Sequence, residues 1–357
     1  MVGCRGFLVL SDGTVFRGTG FGAQKTHVGE LVFSTAMTGY QEALTDPSYA
    51  GQILMMTYPL VGNYGINGED SESDKIWARG FVVHEACLEP VHSKSKKSID
   101  EFLEEQGVPG VAGLDTRAIV HKIRDKGVMP ACIYAGEEEP DIPALAKKAA
   151  ALDYSGINFV DEVSPREPRE FGKGKKRVVL VDCGAKANIV RELVKRGIRV
   201  TTVHYKTSAR AILDLDPDGV VVSNGPGDPA LMQTTAAAMR AIAKKLPTMG
   251  ICLGHQILGI AAGGSTFKLK FGHRSANQPV KELETGRVFI TTQNHGYAVD
   301  GASIGKDWVV TMLNANDGTV EGLRHRELPV FSVQFHPEAH PGPRDTGFLF
   351  DEFVKSL

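Results

Sequence analysis

The stretch TMGICLGHQILGIAAGG, residues 248–264, constrains the fold more than any other part of this chain. Thr248–Ile251 has the pattern of a short buried strand, and a helical pattern, Leu253–Ala262, begins at once and stops at Gly263–Gly264. Cys252 alone separates the two, so strand and helix must meet in one sharp turn with the cysteine at its apex. Gly250 and Gly254 flank it, where β-carbons would collide with the adjacent strands and helix.

The flanking sequence agrees with an α/β sheet. Val178–Val181 is a continuous β-branched and aliphatic run, as expected of a strand buried on both faces. Asn188–Arg196 follows as a helix with Ile189, Val190, Leu193 and Val194 on one stripe and Gly197 placed to stop it. Ile198–Val203 and Gly219–Val222 read as strands, Ala230–Leu246 as an Ala-rich helix. This alternation predicts a mostly parallel, helix-flanked sheet over residues 177–357. Upstream, VSPREPREFGKGKK at 163–176 is charged, rich in Pro and Gly and almost free of apolar residues, so residues 166–176 read as a linker. Residues 1–165 then form a separate, smaller α+β domain. It has strand patterns at Gly6–Leu10, Thr14–Arg17, Glu30–Ser34 and Ile53–Thr57, and helical patterns at Ser98–Gln106, Thr116–Lys126 and Pro143–Leu152.

A length of 357 residues suits two domains. Lys+Arg number 40 against 42 Asp+Glu, a net charge of −2 that leaves no electrostatic footprint for nucleic acid or an anionic membrane. The start, MVGCRGFLVLSDG, has too short an apolar run for a signal peptide, and no stretch approaches the ~20 apolar residues of a membrane span. Five scattered cysteines fit free thiols in a reducing compartment, so a cytoplasmic chain is expected.

A sulfur at a helix N-terminus sits where N–H groups and the helix dipole favour thiolate and can hold an oxyanion. A bare G-x-C-x-G fits a buried structural cysteine equally well; the strand–elbow–helix setting favours a nucleophile. Its base is expected in FSVQFHPEAHPGPRDT, where Phe331–Phe335 reads as a strand and His336-Pro337-Glu338 stands at its carboxyl end, the edge at which α/β sites form. Glu338 can accept from the imidazole and fix its tautomer. His255 lies on the departing helix and reads as packing there, and His273 and His295 read as hydrogen-bonded structural histidines. His336, Glu338 and His340 also spell H-x-E-x-H, but Pro337 and Pro341 break simple ligand geometry, and no metal is expected. Two loops look like site walls: Ser223–Pro229, where a Gly227 N–H could join that of Leu253 in an oxyanion hole, and Gln293–Tyr297. Each would equally serve as an ordinary turn.

The motifs G-I-C-L-G-H-Q around Cys252, S-N-G-P-G-D-P at 223–229 and Q-F-H-P-E at 334–338 resemble the triad-type, class I glutamine amidotransferases in order and approximate spacing. K-F-G-H-R (270–274), Q-N-H-G-Y-A-V (293–299) and H-P-G-P-R-D-T (340–346) are similar to the carbamoyl-phosphate synthase small-subunit family. So are T-A-M-T-G-Y-Q-E-A-L-T-D-P-S-Y (35–49), N-Y-G (63–65) and G-L-D-T-R (113–117) of the first domain. Ser275, Gln278, Cys183, His340 and Arg344 depart from the usual residues of that family, and none belongs to the triad.

The resemblance implies Cys252 as nucleophile, His336 as base and Glu338 as its partner. It implies glutamine binding by Ser48, Gly225, Gly227, Leu253, Gln256, Asn294, Gly296 and Tyr297. It further implies a heterodimer in which the first domain contacts a large subunit. That subunit takes the released ammonia and makes carbamoyl phosphate from bicarbonate and two ATP, for arginine and pyrimidine synthesis. No cofactor is expected in this chain, with ATP and Mg used by the partner; no G-x-x-x-x-G-K-[ST] phosphate loop occurs in the sequence. The competing readings are a glutaminase subunit of another synthase and a catalytically silent regulatory subunit.

Overall fold

The computed structural model describes residues 4–357, which form two compact units, divided between Ile157 and Asn158. In the first unit, seven strands close into a barrel: β1 (Cys4–Leu10), β2 (Val15–Gly22), β3 (Thr26–Ser34), β4 (Gln52–Met56), β5 (Gly80–Val82), β6 (Pro109–Ala112) and β7 (Met129–Gly136). Around the ring the order is β1-β2-β6-β5-β4-β3-β7, and β7 returns to pair antiparallel with β1. Phe7 and Val9 of β1 pack with Cys132 of β7 against Leu145 and Ala149 of a covering helix. Leu8 and Leu10, on the opposite face of the same strand, are fully buried and fill the interior. Beside a short helix at Tyr40–Thr45, this unit carries α1 (Ile99–Glu105), α2 (Thr116–Lys126) and the covering α3 (Ile142–Ala150). Ser98 starts α1 with a reciprocal capping box to Glu101, which satisfies two of the N–H groups a helix start leaves open.

The second unit is built on a ten-stranded sheet. Its strands are β8 (Arg169–Phe171), β9 (Lys176–Asp182), β10 (Ile198–His204), β11 (Gly219–Val222), β12 (Thr248–Ile251), β13 (Thr266–Glu282), β14 (Val288–Val299), β15 (Trp308–Asn314), β16 (Val320–His325) and β17 (Val330–Val333). They lie in the order β8-β10-β9-β11-β12-β17-β16-β15-β13-β14. The five from β10 to β17 are parallel, and antiparallel strands extend the sheet on both sides. Helices are α4 (Ala187–Lys195), α5 (Ala209–Asp214), α6 (Gln233–Ile242), α7 (Leu253–Ala261) and α8 (Phe348–Ser356).

Alternation along β9 divides the core between two faces. Val179 and Val181 pack with Met239 and Ile242 of α6 and Ile257 and Leu258 of α7. Val178 and Leu180 pack with Ile189 and Leu193 of α4 and Leu349, Phe350 and Phe353 of α8. Helices on both faces are what buries the parallel strands completely.

Two segments differ from the sequence expectation. The compact units divide ahead of residue 165, and residues 166–176 supply β8, which pairs with β10. Short, charged and exposed, β8 has the composition of a linker because a sheet edge needs the same polarity to stay unpaired with other chains. Gln293–Tyr297, expected as a loop after Thr292, lies inside β14; register shifts in the facing β13 absorb the irregularity that Gly296 suggested. Among the described residues no helix is long and apolar enough to cross a membrane.

Candidate active site

Cys252 caps α7 with φ 54° and ψ −105°, a conformation that side-chain-bearing residues rarely adopt. Close packing holds it there. A β-carbon on Gly254 would lie 2.1 Å from the Val222 carbonyl oxygen, and one on Gly250 would lie 2.6 Å from that of Gly254. The turn is pinned by the Cys252 N–H donating to Val333 O at 2.9 Å and the Gly254 N–H donating to Ser223 O at 3.0 Å. Elbow, β11 loop and β17 are thus locked together. The Cys252 thiol is buried, and Asn294 O lies 3.6 Å from the sulfur.

His336 follows β17 at the same carboxyl edge. Its Nδ1 is 2.6 Å from Glu338 Oε1, so Glu338 accepts from that nitrogen and leaves Nε2 for the sulfur. Nε2 is buried and makes no hydrogen bond. Burial works against a charged ring here, yet the Glu338 carboxylate and then Cys252 outweigh it and lift His336 to about 10. Glu338 is likewise opposed by burial but brought down to about 2 by Lys186 and His336.

Lys186 was not singled out in the sequence. It caps α4, and its Nζ lies 3.2 Å from Glu338 Oε1 and donates to Ala339 O at 2.6 Å. Asn188 Nδ2 donates to Glu338 O at 2.5 Å. A lysine at a helix N-terminus opposes the dipole, and that misplacement in D-C-G-A-K-A-N was the available signal for a tertiary role. The ammonium also answers the H-x-E-x-H alternative: a metal ion on Glu338 would sit against a positive charge.

The other expected residues fall as follows. Gly225 approaches the Cys183 carbonyl so closely that a β-carbon would lie 2.1 Å from its oxygen, and Gly227 has φ 89°. Leu253 is the first residue of α7. Gln256 donates through Nε2 to Tyr297 O at 2.7 Å and to Gln334 Oε1 at 3.0 Å, tying α7 to β14. Asn294, Gly296 and Tyr297 lie together on β14, with Asn294 O against the sulfur. Ser48 belongs to the first unit, where its N–H donates to Asp46 Oδ1 at 2.9 Å. His255 is structural: it is fully buried, bonded through Nδ1 to Ser332 Oγ at 2.9 Å, and pushed down to about 3 by burial.

Cys252, His336 and Glu338, together at one sheet edge, have the residue types and placement that acyl-transfer chemistry requires. The class I glutamine amidotransferase profile matches residues 179–356, which contain all three, and defines the class of the second unit. The profile of the carbamoyl-phosphate synthase small chain, CPSase domain, matches residues 8–133. Curated relatives named "Carbamoyl phosphate synthase small chain" extend over nearly the whole length. That of Archaeoglobus fulgidus is 52% identical over 352 residues, covering 98% of each chain. That of Methanopyrus kandleri is 52% identical over 354 residues, again covering 98% of each. That of Fusobacterium nucleatum is 50% identical over 352 residues, covering 98% of this chain and 97% of its own. The chain belongs to the carbamoyl-phosphate synthase small-chain family.

Proposed function

We propose that this chain hydrolyses L-glutamine and delivers the ammonia to a large ATP-dependent subunit of carbamoyl-phosphate synthase. The Cys252 thiolate attacks the side-chain amide carbon, and the N–H groups of Leu253 and Gly227 hold the oxyanion. Protonated His336 gives its Nε2 proton to the leaving nitrogen, so ammonia departs and a γ-glutamyl thioester remains. Neutral His336 then takes a proton from water as the water attacks the thioester. Collapse releases glutamate and restores the thiolate. Glu338 holds the ring in the required tautomer throughout. Gly225, Gln256, Asn294, Gly296 and Tyr297 complete the glutamine site of the second unit in this reading.

Every group in that sequence is an amino-acid side chain or backbone amide, so glutamine hydrolysis needs no cofactor here. ATP and Mg²⁺ are used by the partner, which makes carbamoyl phosphate from bicarbonate and two ATP for arginine and pyrimidine synthesis. The work takes place in the cytoplasm. The observation that supports the reading most is the meeting of a strained Cys252 elbow with the His336–Glu338 pair at one edge of a parallel sheet.

The test is glutamate release by the tagged chain purified under native conditions, with and without ATP and bicarbonate. Co-purification of a much larger chain, with hydrolysis accelerated by ATP plus bicarbonate, is the expected result. A chain that comes down alone and hydrolyses glutamine indifferently to both would mean the ammonia acceptor is misassigned.

A further inference from the structure

Next to the segment of β14 that carries Asn294, three buried side chains converge from three antiparallel strands: His273 on β13, His295 on β14 and Glu321 on β16. His273 and His295 are direct cross-strand partners, with rings edge to face at 5.0 Å. Each ring spends one nitrogen on an acceptor that demands a proton. His273 Nε2 is 2.9 Å from Asp317 Oδ2, and His295 Nδ1 is 2.8 Å from Tyr297 O. The remaining nitrogens, His273 Nδ1 and His295 Nε2, therefore present lone pairs. One donor atom from each of the two histidines and Glu321 lies within 4.8 Å of the others.

Hydrogen bonding within the protein leaves this cluster incomplete. Neither His273 Nδ1 nor Glu321 Oε2 has a hydrogen-bond partner, although Glu321 is fully buried and His273 nearly so. A proton on His273 Nδ1 would not repair this: Glu321 Oε1 is 3.8 Å away, beyond hydrogen-bond reach, and already accepts from Asn314 Nδ2. The lone pair of His295 Nε2 also faces an acceptor, Gln293 Oε1 at 3.1 Å. A buried carboxylate oxygen and an imidazole nitrogen without hydrogen-bond partners, beside the His295 lone pair, fit a cation.

The geometry points to a divalent-cation site of zinc type, with His273 Nδ1, His295 Nε2 and the Glu321 carboxylate as ligands and Gln293 Oε1 available as a fourth. Two imidazoles with oxygen donors are a zinc or cobalt set rather than a calcium or magnesium one. The outer contacts have the form that orients metal-bound histidines, one ring held by a carboxylate and the other by a backbone carbonyl. Zinc–ligand bonds of about 2.0–2.2 Å would draw the donors together by about an ångström. A bound ion would clamp β14 to its neighbour β13 and to β16, which lies beyond β15 in the sheet order. It takes no part in bond breaking at Cys252, and the proposal stands whether or not the triad hydrolyses glutamine.

The experiment is a Co²⁺ titration of the full chain after chelator treatment, followed by visible absorption, with Zn²⁺ displacement and total-metal analysis. It is run on the native sequence and on Cys252→Ser, so that a thiolate site is recognised by its charge-transfer band. The expected result is one equivalent of Co²⁺ with the spectrum of a tetrahedral nitrogen–oxygen site in both proteins. Affinity should fall at least tenfold in Glu321→Gln and in His273→Asn, with Asp317→Asn about 10–100-fold weaker. Zn²⁺ should raise the unfolding midpoint of the native chain and not that of whichever of these variants retains a cooperative transition. Absence of a one-equivalent site, a spectrum that depends on Cys252, or unchanged affinity in the folded variants would overturn the assignment.

Discussion

Lys186 Nζ stands 3.2 Å from Glu338 Oε1, and both side chains are withdrawn from solvent. The carboxylate is therefore shared between the Lys186 ammonium and the His336 ring. Lys186 compensates for burying Glu338, so that His336 is not its sole counter-ion.

Removing that ammonium should leave a buried, undercompensated carboxylate. Lys186→Met is expected to lose about 3–5 kcal/mol of stability, the range for breaking a buried pair by deleting one partner. Glutamate release should fall with it, because Glu338 is then free to protonate or turn away from His336. Thermal unfolding and glutaminase assays on the same preparation check this; an unchanged midpoint and rate would make Lys186 a bystander.

The pH dependence of stability follows from the same triad. Glu338 lies at about 2 against an ordinary carboxylate near ~4.3, so its contribution is complete above roughly pH 4.5 and lost as pH falls toward 2. His336 lies at about 10 against ~6.5, so its contribution is complete below roughly pH 6.5 and lost as pH rises toward 10. Both are whole only between about pH 4.5 and 6.5. The gap in unfolding midpoint between the native chain and Glu338→Gln should be widest near about pH 5.5 and shrink by pH 9. A gap that widens toward alkaline pH would contradict the charged pair.

At the elbow, glycine should outrank alanine. Within ordinary secondary structure alanine is favoured by ~0.5–1 kcal/mol. A β-carbon at φ 54° and ψ −105° instead costs roughly 1–3 kcal/mol. Cys252→Gly is accordingly expected to unfold at a higher temperature than Cys252→Ala, with neither variant hydrolysing glutamine. The reverse order would mean that the turn carries no strain.

If ammonia is made in one chain and used in another, the two activities should separate. Cys252→Ser is expected to abolish glutamine-dependent carbamoyl phosphate synthesis in the complex while synthesis from added ammonium salt continues. Loss of both in a complex that still assembles would end that division of labour.

Much of this site was legible because its key residues sit at junctions between strong local patterns. Cys252 is the single residue between a strand and a helix, and His336-Pro337-Glu338 closes a buried strand. Helix bounds such as Thr116–Lys126 are set locally, by Asp115 at one end and Gly127 at the other. What escaped depends on contacts distant in the chain. The first unit's strands were visible singly, but closure requires β1 to pair with β7, and no periodicity in either encodes that ring. Lys186 stands out locally only as a cation at a helix start; folding alone brings Glu338 to it. His273, His295 and Glu321 belong to separate strands; register sets the two histidines side by side, and only the folded sheet brings Glu321 to them.

The closed barrel has a consequence for recruitment. Among the described residues each of its seven strands is bonded on both sides, so no row of backbone amides is offered to a newcomer. Another chain cannot annex this sheet by adding a strand. Whatever docks on the barrel must read loops and side chains, a vocabulary that can be rewritten one residue at a time while the hydrogen-bond ladder beneath stays as it is.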